Sequence, residues 1–545
     1  MGECDISCKA LWIKAQYKYN HLPFITKALG CFITKDMQPF AVVEGAGFQC
    51  MIKALEPRYK IPSRKHFSCT VIPALYEETR RRLVNELSDT ACVALTTDGW
   101  TSRATESFLT VTVHYIPSEW KMKSSVLQTR PLYESHTSEQ LSEALTEAVT
   151  EWKLQRDSST IPVTTDNAKN MVNAVNATAG LGPQIGCFAH TVNLAAKNAV
   201  SISQVSRLLG KIRKVVTFFH RSTTASHVLK TRQRMLELPA HKLIHDVSTR
   251  WNTTYDMLER YLEQQAAIYS ALMEKDVKKH LKDISVLNDG EAKLAEDLIK
   301  ILKPLKNVTT LMSTETSPSV SMIIPLQKMI LKSMTTSEED SSTIKDAKAA
   351  VTKDLEVRYG NPELQDYLHR TAALDPRFKS LPYLEEASVE RIYSDVIREI
   401  TEIKEQGQPR EVQVDSSSSA GEPGTSGTSS PKKKSAMAEF LGEFFPTEKE
   451  TTKTLSQTTE EEVMSYRVTG CIPVDADPLA WWKDNEHKYP HIAKLAQCYL
   501  TVQGTSVPSE RVFSTAGDIV TASRSRLLAE NVDKLIFLQK NLIIE

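Results

Sequence analysis

The stretch "ACVALTTDGW", residues 91–100, joins a short apolar run to an acid, Asp98. The letters "TTD" return in "TIPVTTDNAKNM", residues 160–171, where Asp166 follows a second apolar run. Apolar runs of this length are typical of buried strands, and a carboxylate at the end of such a strand is costly unless something pairs with it. The question is what needs two acids at two strand ends, 68 residues apart (166 − 98).

The segments around the two acids predict a sheet. Two strand-like runs, "SFLTVTVHYI" and "MKSSVLQTRPL", follow the first acid after short spacers, which favours an antiparallel meander. A helix with Thr137 and Gln140 in capping-box spacing, the second "TTD" run, a helix from about Asn167 and a short run at "PQIGCF" complete the order β-β-β-α-β-α-β. In this order the first and fourth strands can lie side by side. We therefore expect Asp98 and Asp166 to lie close together, each at the C-terminal end of its strand.

Two close carboxylates repel each other unless protons or cations separate them. Hard oxygen ligands favour Mg²⁺ or Mn²⁺. Two such ions about 3.5–4 Å apart activate a nucleophile and stabilise the leaving oxygen in phosphodiester chemistry. One further acid is normally required, and no spacing in the sequence locates it.

Bulk composition limits the class of protein. A chain of 545 residues predicts two or more domains, and 41% hydrophobic with 25% charged residues describes a globular chain. No long apolar run and no signal peptide is present, which predicts an intracellular protein without a membrane partner. Nine scattered cysteines without a CxxC pair predict reduced thiols, and Cys4 and Cys8 lack histidines at zinc-finger spacing, so we predict no structural zinc.

The net charge is zero, but its distribution is uneven. No Asp or Glu occurs from Asn167 to Leu236, which predicts a face that binds a polyanion. The alternative is a basic face that acids from other segments neutralise. The cations of this stretch are Lys169, Lys197, Arg207, Lys211, Arg213, Lys214, Arg221, Lys230, Arg232 and Arg234.

Helical patterns dominate the rest of the chain. Residues 22–87 and about 190–400 predict helices, and the Ser-, Gly- and Pro-rich stretch at about 405–435 predicts a flexible linker. The linker's lysine triplet, Lys432–Lys434, is either a nuclear-import signal or plain solvated charge. Near the end of the chain an apolar helix face should pack on another domain or on a second subunit. That face consists of Val532, Leu535, Ile536 and Phe537.

Six blocks resemble hAT-superfamily transposases and the domesticated BED-finger proteins derived from them. The blocks are "LTTDGWTS", "VTTDNAKNM", "CFAHTVNLAAK", "TRWNTTYDMLER", "LDPRFKSL" and "PSERVFSTAGDIVTASRSRL", in the family's order. The resemblance implies an α/β plus all-α architecture, namely an RNase H-like catalytic core interrupted by a long helical insertion, with C-terminal dimerisation helices. It also implies a nuclear protein that acts on DNA as a homodimer or higher oligomer.

The domain boundaries that follow begin with an N-terminal helical region and the first part of the RNase H-like core. A helical insertion, the linker, and a C-terminal dimerisation region that completes the core come next. The boundaries are 1–87, 88–200, 201–404, 405–460 and 461–545.

The resemblance also implies roles for single residues. Asp98 and Asp166 match the first two acids of the family's DDE triad, and Glu510 in "PSERVFS" matches the third, so these three would be both the catalytic residues and the ligands of Mg²⁺ or Mn²⁺. Without the resemblance, Glu510 beside Arg511 is better explained as an exposed surface acid.

Further residues match positions of the family near the DNA. Cys187 and His190 match its CxxH motif and would help to order the strand that is cut, although alone they fit a helix-start packing detail. Trp251 matches the aromatic that stacks on a flipped base, with Arg250 holding a phosphate, although a lone helical Trp is usually part of a core. Basic contacts to phosphate would come from the acid-free stretch, chiefly Lys211, Arg213, Lys214 and Arg221.

Two functions fit these observations. One is a Mg²⁺-dependent transposase that cleaves DNA and transfers strands. The other is a catalytically silent, domesticated dimer that regulates chromatin or transcription. The sequence shows no BED finger spacing, which weakens the expectation of specific recognition of transposon ends, whereas the complete triad favours retained chemistry.

Overall fold

A computed structural model gives the three-dimensional structure. It describes residues 22–102, 105–133, 136–155, 160–247, 250–279, 284–313, 317–407, 454–512 and 527–544. Most of the predicted linker, Lys432–Lys434 included, lies outside the described residues, as do Cys4 and Cys8. Among the described helices, none is long and apolar enough to cross a membrane.

One five-stranded sheet organises the α/β part of the molecule. Its strand order is β3-β2-β1-β4-β5, with antiparallel pairing among β1, β2 and β3 and parallel pairing of β1 with β4 and of β4 with β5. The predicted meander and the predicted β-β-β-α-β-α-β order are confirmed. The strands are β1 Val93–Thr101, β2 Ser107–Tyr115, β3 Lys123–Leu132, β4 Ile161–Thr165 and β5 Leu181–Gly186.

The register of β1 against β4 follows the repeated "TTD". Thr96 pairs with Thr164, an offset of 68 residues (164 − 96), which equals the spacing of the two sequence copies. The prediction that these strands are neighbours is confirmed. The prediction that Asp98 ends its strand is wrong, because β1 stays paired with β2 through Thr101. Asp166 directly follows β4, as expected.

Helices surround the sheet and form the rest of the described chain. The first helices are α1 (22–35), α2 Ala46–Leu55 and α3 Ile72–Ser88, with a 3-10 turn at Phe40–Glu44 and a short helical lead-in, Arg64–His66 and Phe67–Val71, before α3. The helices between the strands are α4 Ser138–Glu151 and α5 Lys169–Ala177.

The regular elements among the described residues after β5 are helices, as predicted, apart from an isolated bridge between Val247 and Arg250. The helices before the linker are α6 Phe188–Val200, α7 Ser203–Arg221, α8 Thr223–Met235, α9 Trp251–Glu263, α10 Gln265–Leu272, α11 Lys275–Lys278, α12 Asp289–Leu311, α13 Ile323–Ser333, α14 Ser342–Arg358, α15 Pro362–Ala373 and α16 Glu386–Gly407. A 3-10 turn at Val320–Met322 leads into α13. The helices after the linker are α17 Leu455–Val468, α18 Pro478–Asn485, α19 Pro490–Leu500, α20 (507–512) and α21 Ala529–Asn541.

Two hydrophobic cores lie on opposite faces of the sheet, since successive residues of a strand point to opposite sides. Leu95 belongs to the core that the N-terminal helices share with α21, and Ala94 belongs to the larger core of the later helices. The helix α20 approaches the sheet face that bears Ala94, where Ser509 of α20 lies 2.9 Å from Thr96. Ala94, Thr96 and Asp98 lie on this face because they are spaced two residues apart along β1.

The last helix, α21, packs inside its own chain. The Phe537 ring contacts Tyr76 of α3 at 4.7 Å and Trp152 at 5.7 Å between ring centroids. Of the two options for the terminal apolar face, another part of the same chain is the one observed. Val532, Leu535, Ile536 and Phe537 are all buried there.

Two of the cysteines form a disulfide, which corrects the prediction that all thiols are reduced. Cys92, directly before β1, is bonded to Cys498 of α19, 406 residues later, with their Cα atoms 5.1 Å apart. Sequence spacing gave no sign of this pair, because only the fold brings α19 beside the start of β1.

Candidate active site

Three acids from distant parts of the chain lie within electrostatic reach of one another. Asp98 is in β1, Asp166 directly follows β4 and Glu510 lies on α20. Burial raises the pKa of both Asp98 and Glu510; in addition, Glu510 and Asp166 raise the pKa of Asp98, and Asp166 raises that of Glu510. The sequence predicted the first two by strand order, but Glu510 only through the resemblance.

The environments of the three carboxyl groups differ. Asp98 is almost fully buried, and burial together with the two neighbouring acids raises its pKa to about 8. The Asp166 side chain is partly exposed, and its Oδ1 accepts a hydrogen bond from the amide of Ala168 at 3.1 Å. Glu510 points to solvent, although nearby protein removes part of its hydration and so raises its pKa. The site therefore has a buried floor and an open rim.

The "TTD" repeat explains how the sheet holds this site. The first Thr of each copy anchors the C-terminal segment: Thr96 Oγ1 lies 2.9 Å from Ser509 Oγ, and Thr164 Oγ1 donates to the carbonyl of Gln503 at 2.5 Å. The second Thr of the first copy, Thr97, donates instead to the carbonyl of Thr110 on β2 at 3.0 Å. In each copy, the threonine two residues before the acid thus binds the C-terminal segment through its hydroxyl group.

The segment 503–506 docks closely against the sheet edge and α6. The amide of Phe188 donates to the Gly504 carbonyl at 2.9 Å, and the amide of Ser506 donates to the Cys187 thiol at 3.3 Å. A Cβ on Gly504 would lie 2.7 Å from Met312 Cε and 2.9 Å from the Ser319 carbonyl oxygen, so only glycine fits here. This docking brings α20, and with it Glu510, back to the sheet.

The chemistry of the three acids fits a divalent cation, because carboxylate oxygens are the ligands that Mg²⁺ and Mn²⁺ prefer and the mutual repulsion of the acids would be relieved by positive charge. Among the described residues, no group of three or more His, Cys, Asp or Glu side chains is arranged so that it could hold an ion as it stands. Binding of an ion would therefore require the carboxylates to rearrange.

Cys187 has a packing role in the structure. Its side chain is fully buried and caps α6 by accepting from the amide of His190 at 3.4 Å, while burial raises its pKa to about 11. This thiol is not at a surface that DNA can reach, which argues against a direct contact. His190 is partly exposed; burial lowers its pKa, and the opposing effect of Asp166 places it near that acid.

Trp251 does not present its ring to solvent. It is 3% exposed and belongs to the larger hydrophobic core, at the first position of α9. The predicted stacking on a base is therefore absent as the protein stands, and the alternative of a core residue fits. Arg250, which precedes it, is exposed.

The acid-free stretch is partly neutralised by acids from other segments. Arg213 binds Asp246 through three hydrogen bonds, from Nε to Oδ1 at 2.9 Å and to Oδ2 at 3.0 Å and from Nη2 to Oδ2 at 2.6 Å, and Lys211 pairs with Glu291. Arg232 pairs with Glu274. Lys214 and Arg221 are exposed, as are several other cations of the stretch. Of the four predicted phosphate contacts, these two are the better placed to meet DNA.

Several residues that hold the site were not singled out by the sequence. His114, Thr96 and Ser509 form a buried hydrogen-bonded group behind Glu510. The only signal for Ser509 was its place in "PSERVFS", where the glutamate drew the attention. Polar residues on buried strands, such as His114 in "TVTVHY", are the clue that could have found the group.

Three family models match parts of the chain. Residues 96–181 match the ZBED1 RNase-like domain, residues 185–301 the ZBED1 RNase-like helical domain, and residues 454–542 the hAT family C-terminal dimerisation region. The first match contains Asp98 and Asp166, and the third contains Glu510. The third match supports dimerisation of the chain.

Similar whole proteins point the same way. The chain is 28% identical to the human zinc finger BED domain-containing protein 4 over 95% of its own length and 43% of the relative's. It is 26% identical to the putative AC transposase of Zea mays over 95% of its own length and 65% of the relative's. It is 25% identical to the rice zinc finger BED domain-containing protein RICESLEEPER 2 over 91% of its own length and 71% of the relative's. The chain thus spans only part of these relatives, and its resemblance to hAT-type transposase-like and BED-finger proteins is confirmed.

Proposed function

We propose that the chain is the catalytic core of a hAT-like transposase, which cleaves DNA and joins the freed 3′-OH ends to a target. The finer fold, an RNase H-like core interrupted by a helical insertion and completed by the C-terminal region, is part of this proposal, as are a nuclear location and an oligomer. The observation that carries it is that Asp98, Asp166 and Glu510, three acids from separate elements, lie near enough for Glu510 and Asp166 to add to the effect of burial on the pKa of Asp98.

In this function the three carboxylates would hold Mg²⁺ or Mn²⁺. When bound, such ions activate the attacking oxygen and stabilise the leaving oxygen of a phosphodiester. Asp98 is fixed by its strand and forms the floor of the site. Asp166 and Glu510 stand at the open rim, where a DNA backbone can approach. Exposed cations such as Lys214 and Arg221 would bind phosphates and add a salt-dependent, sequence-independent attraction.

The test is a cleavage and strand-transfer assay with the purified chain, Mn²⁺ and DNA that carries the ends of the element next to its gene. Wild type should cut and join, and Asp98→Asn, which keeps the size of the side chain, should lose activity by at least about 100-fold. The matched control is Asp289→Asn, an exposed acid in the first turn of α12, which should retain activity. Equal activity of Asp98→Asn and wild type would reject the assignment of the metal ligands.

A second function, a catalytically silent dimer that binds DNA and regulates chromatin or transcription, is favoured by other observations. Trp251 is buried, and Lys211 and Arg213 are occupied by acids. Salt-dependent DNA binding by a dimer, with no cleavage in Mn²⁺ on any DNA with the element's ends, would select this function.

A further inference from the structure

A row of hydrogen bonds, buried except at its Ser124 end, crosses the sheet and ends one residue before Glu510. Ser124 Oγ lies 2.7 Å from His114 Nδ1, and His114 Nε2 lies 3.0 Å from Thr96 Oγ1. Thr96 Oγ1 lies 2.9 Å from Ser509 Oγ, which donates to Thr112 Oγ1 at 3.3 Å. The group therefore links β3, β2 and β1 to α20.

From this geometry we propose that Ser509 is a positioning residue that sets the place of Glu510 relative to Asp98. The inference rests on the proposed function, because it assigns a role to residues behind the same three acids. It concerns the way in which the third acid is held and adds no ligand.

One order of donors and acceptors is consistent along the whole row of hydrogen bonds. With Ser509 donating to Thr112, its oxygen accepts from Thr96. Thr96 then accepts from Nε2–H of His114, and Nδ1 accepts from Ser124. A neutral imidazole has one donor and one acceptor nitrogen, which suits this order. Burial lowers the pKa of His114 to about 3, so the ring stays neutral at working pH.

Burial protects this row of hydrogen bonds from competition by water. His114, Thr96 and Ser509 are fully buried, so a polar atom that loses its partner there cannot turn to water instead. Thr96 and Asp98 lie on the same face of β1, two residues apart. The hydroxyl of Thr96 thus connects the strand of the first acid directly to the helix of the third.

Most other anchors of this region precede α20, and near its C-terminal end Arg511 Nη2 donates to the Ser313 carbonyl at 2.5 Å. Thr164, Phe188 and Cys187 hold residues 503–506, before α20 begins. Ser509 holds α20 itself, next to Glu510. The bond from Ser506 to Glu510 Oε1 is long, at 3.5 Å, and orients the carboxylate only weakly. Loss of the Ser509 hydroxyl should therefore loosen α20 while the docking of 503–506 remains.

The experiment compares Ser509→Ala with Ser321→Ala in the full chain. Ser321 is also fully buried and donates to Asp375 at 2.7 Å, outside the candidate site, so it controls for the loss of a buried hydroxyl. Hydrogen–deuterium exchange of residues 507–512 should rise in Ser509→Ala and not in Ser321→Ala. In the strand-cleavage assay with Mn²⁺, Ser509→Ala should lower kcat by about 10–100-fold with KM for DNA unchanged. Ser509→Cys, which keeps a weak donor and acceptor, should recover part of the loss.

The two readouts separate this inference from the proposed function. Unchanged exchange at 507–512 in Ser509→Ala overturns the positioning role, whatever the activity. A second outcome also overturns it: the wild type is active, and Ser509→Ala shows increased exchange but the same kcat and Mn²⁺ requirement as the wild type. Glu510 would then not depend on the anchor. Increased exchange in a protein whose wild type never cleaves DNA keeps the anchor of α20 and rejects the proposed catalysis.

Discussion

Asp98 is the residue at which burial and charge act in the same direction. Its ordinary pKa of 3.8 is raised to about 8, first by burial and then by Glu510 and Asp166. Folding therefore favours the protonated carboxyl group. The stability contributed by this proton is complete below about pH 4 and is lost as the pH rises to about 8.

Replacement of Asp98 by Asn should remove this pH dependence. Without divalent metal, the free energy of unfolding of the wild type should fall between pH 5 and pH 8.5 by up to about 4 kcal/mol, and that of Asp98→Asn should fall much less. At pH 8.5 the variant should be the more stable protein. Urea unfolding at the two pH values measures the difference.

Metal addition provides the control for that prediction. Mn²⁺ at pH 8.5 should raise the melting temperature of the wild type more than that of Asp98→Asn, because a ligand that binds the folded state stabilises it. Parallel pH curves for the two proteins would show that Asp98 is ionised and hydrated in solution, contrary to its burial here.

Trp251 poses a choice between packing and base stacking. A buried Trp replaced by Ala leaves a large cavity, so Trp251→Ala should lower the free energy of unfolding by about 3–5 kcal/mol. Tyr269→Ala, an exposed aromatic on α10, should change it by less than about 1 kcal/mol. Denaturant unfolding measures both. If Trp251→Ala has normal stability and binds DNA with an unpaired base more weakly, the ring stacks on a base rather than packing in the core.

Among the elements, the C-terminal helix α21 protects an edge of the sheet. β3 is the edge strand, and its free backbone groups would otherwise be open to pairing with another chain. Asn541 Oδ1 accepts from the amide of Val126 at 3.2 Å, and its Nδ2 donates to the Val126 carbonyl at 2.6 Å. Asp533 Oδ1 accepts from the amide of Thr129 at 2.6 Å. The side chains of one helix thus replace a sixth strand.

Asn541→Ala tests this protection. Two buried backbone groups of Val126 would lose their partners, so the free energy of unfolding should fall by about 1–3 kcal/mol. Asn531→Ala, a partly exposed position of the same helix, is the matched control and should change stability by less than about 0.5 kcal/mol. Thermal unfolding gives the comparison. Equal melting temperatures of the two variants would mean that α21 is held by its apolar face alone.

The strands were predictable from sequence because each is a short run that contains apolar or β-branched residues and is bounded by turns. The strand order also predicted that β1 and β4 are neighbours, and their register aligns the two "TTD" copies. The sequence-based prediction ended β1 at Asp98, which is too early, because pairing with β2 continues through Thr101. Glu510 was beyond any spacing rule. Its position depends on contacts between 503–506 and α6, which join residues more than 300 positions apart.

At the scale of the whole molecule, the disulfide between Cys92 and Cys498 joins the start of β1 to α19 across 406 residues. α19 runs directly into the segment that docks Glu510 at the sheet. A cross-link that closes so long a loop restricts the unfolded chain strongly, by about 6 kcal/mol in the chain-entropy model. The same link also ties the element that carries the first acid to the segment that leads to the third.

Reduction should therefore lower the melting temperature of the wild type, while the double variant Cys92→Ser/Cys498→Ser melts at that lower temperature with or without reductant. Cys69→Ser removes an exposed, free thiol and should behave like the wild type in both conditions. Differential scanning calorimetry measures the shift, and non-reducing peptide mapping identifies the linked pair. If the wild type melts at the same temperature with and without reductant, the two sulfurs are separate thiols in solution. The reduced state that the scattered cysteines suggested would then be right after all.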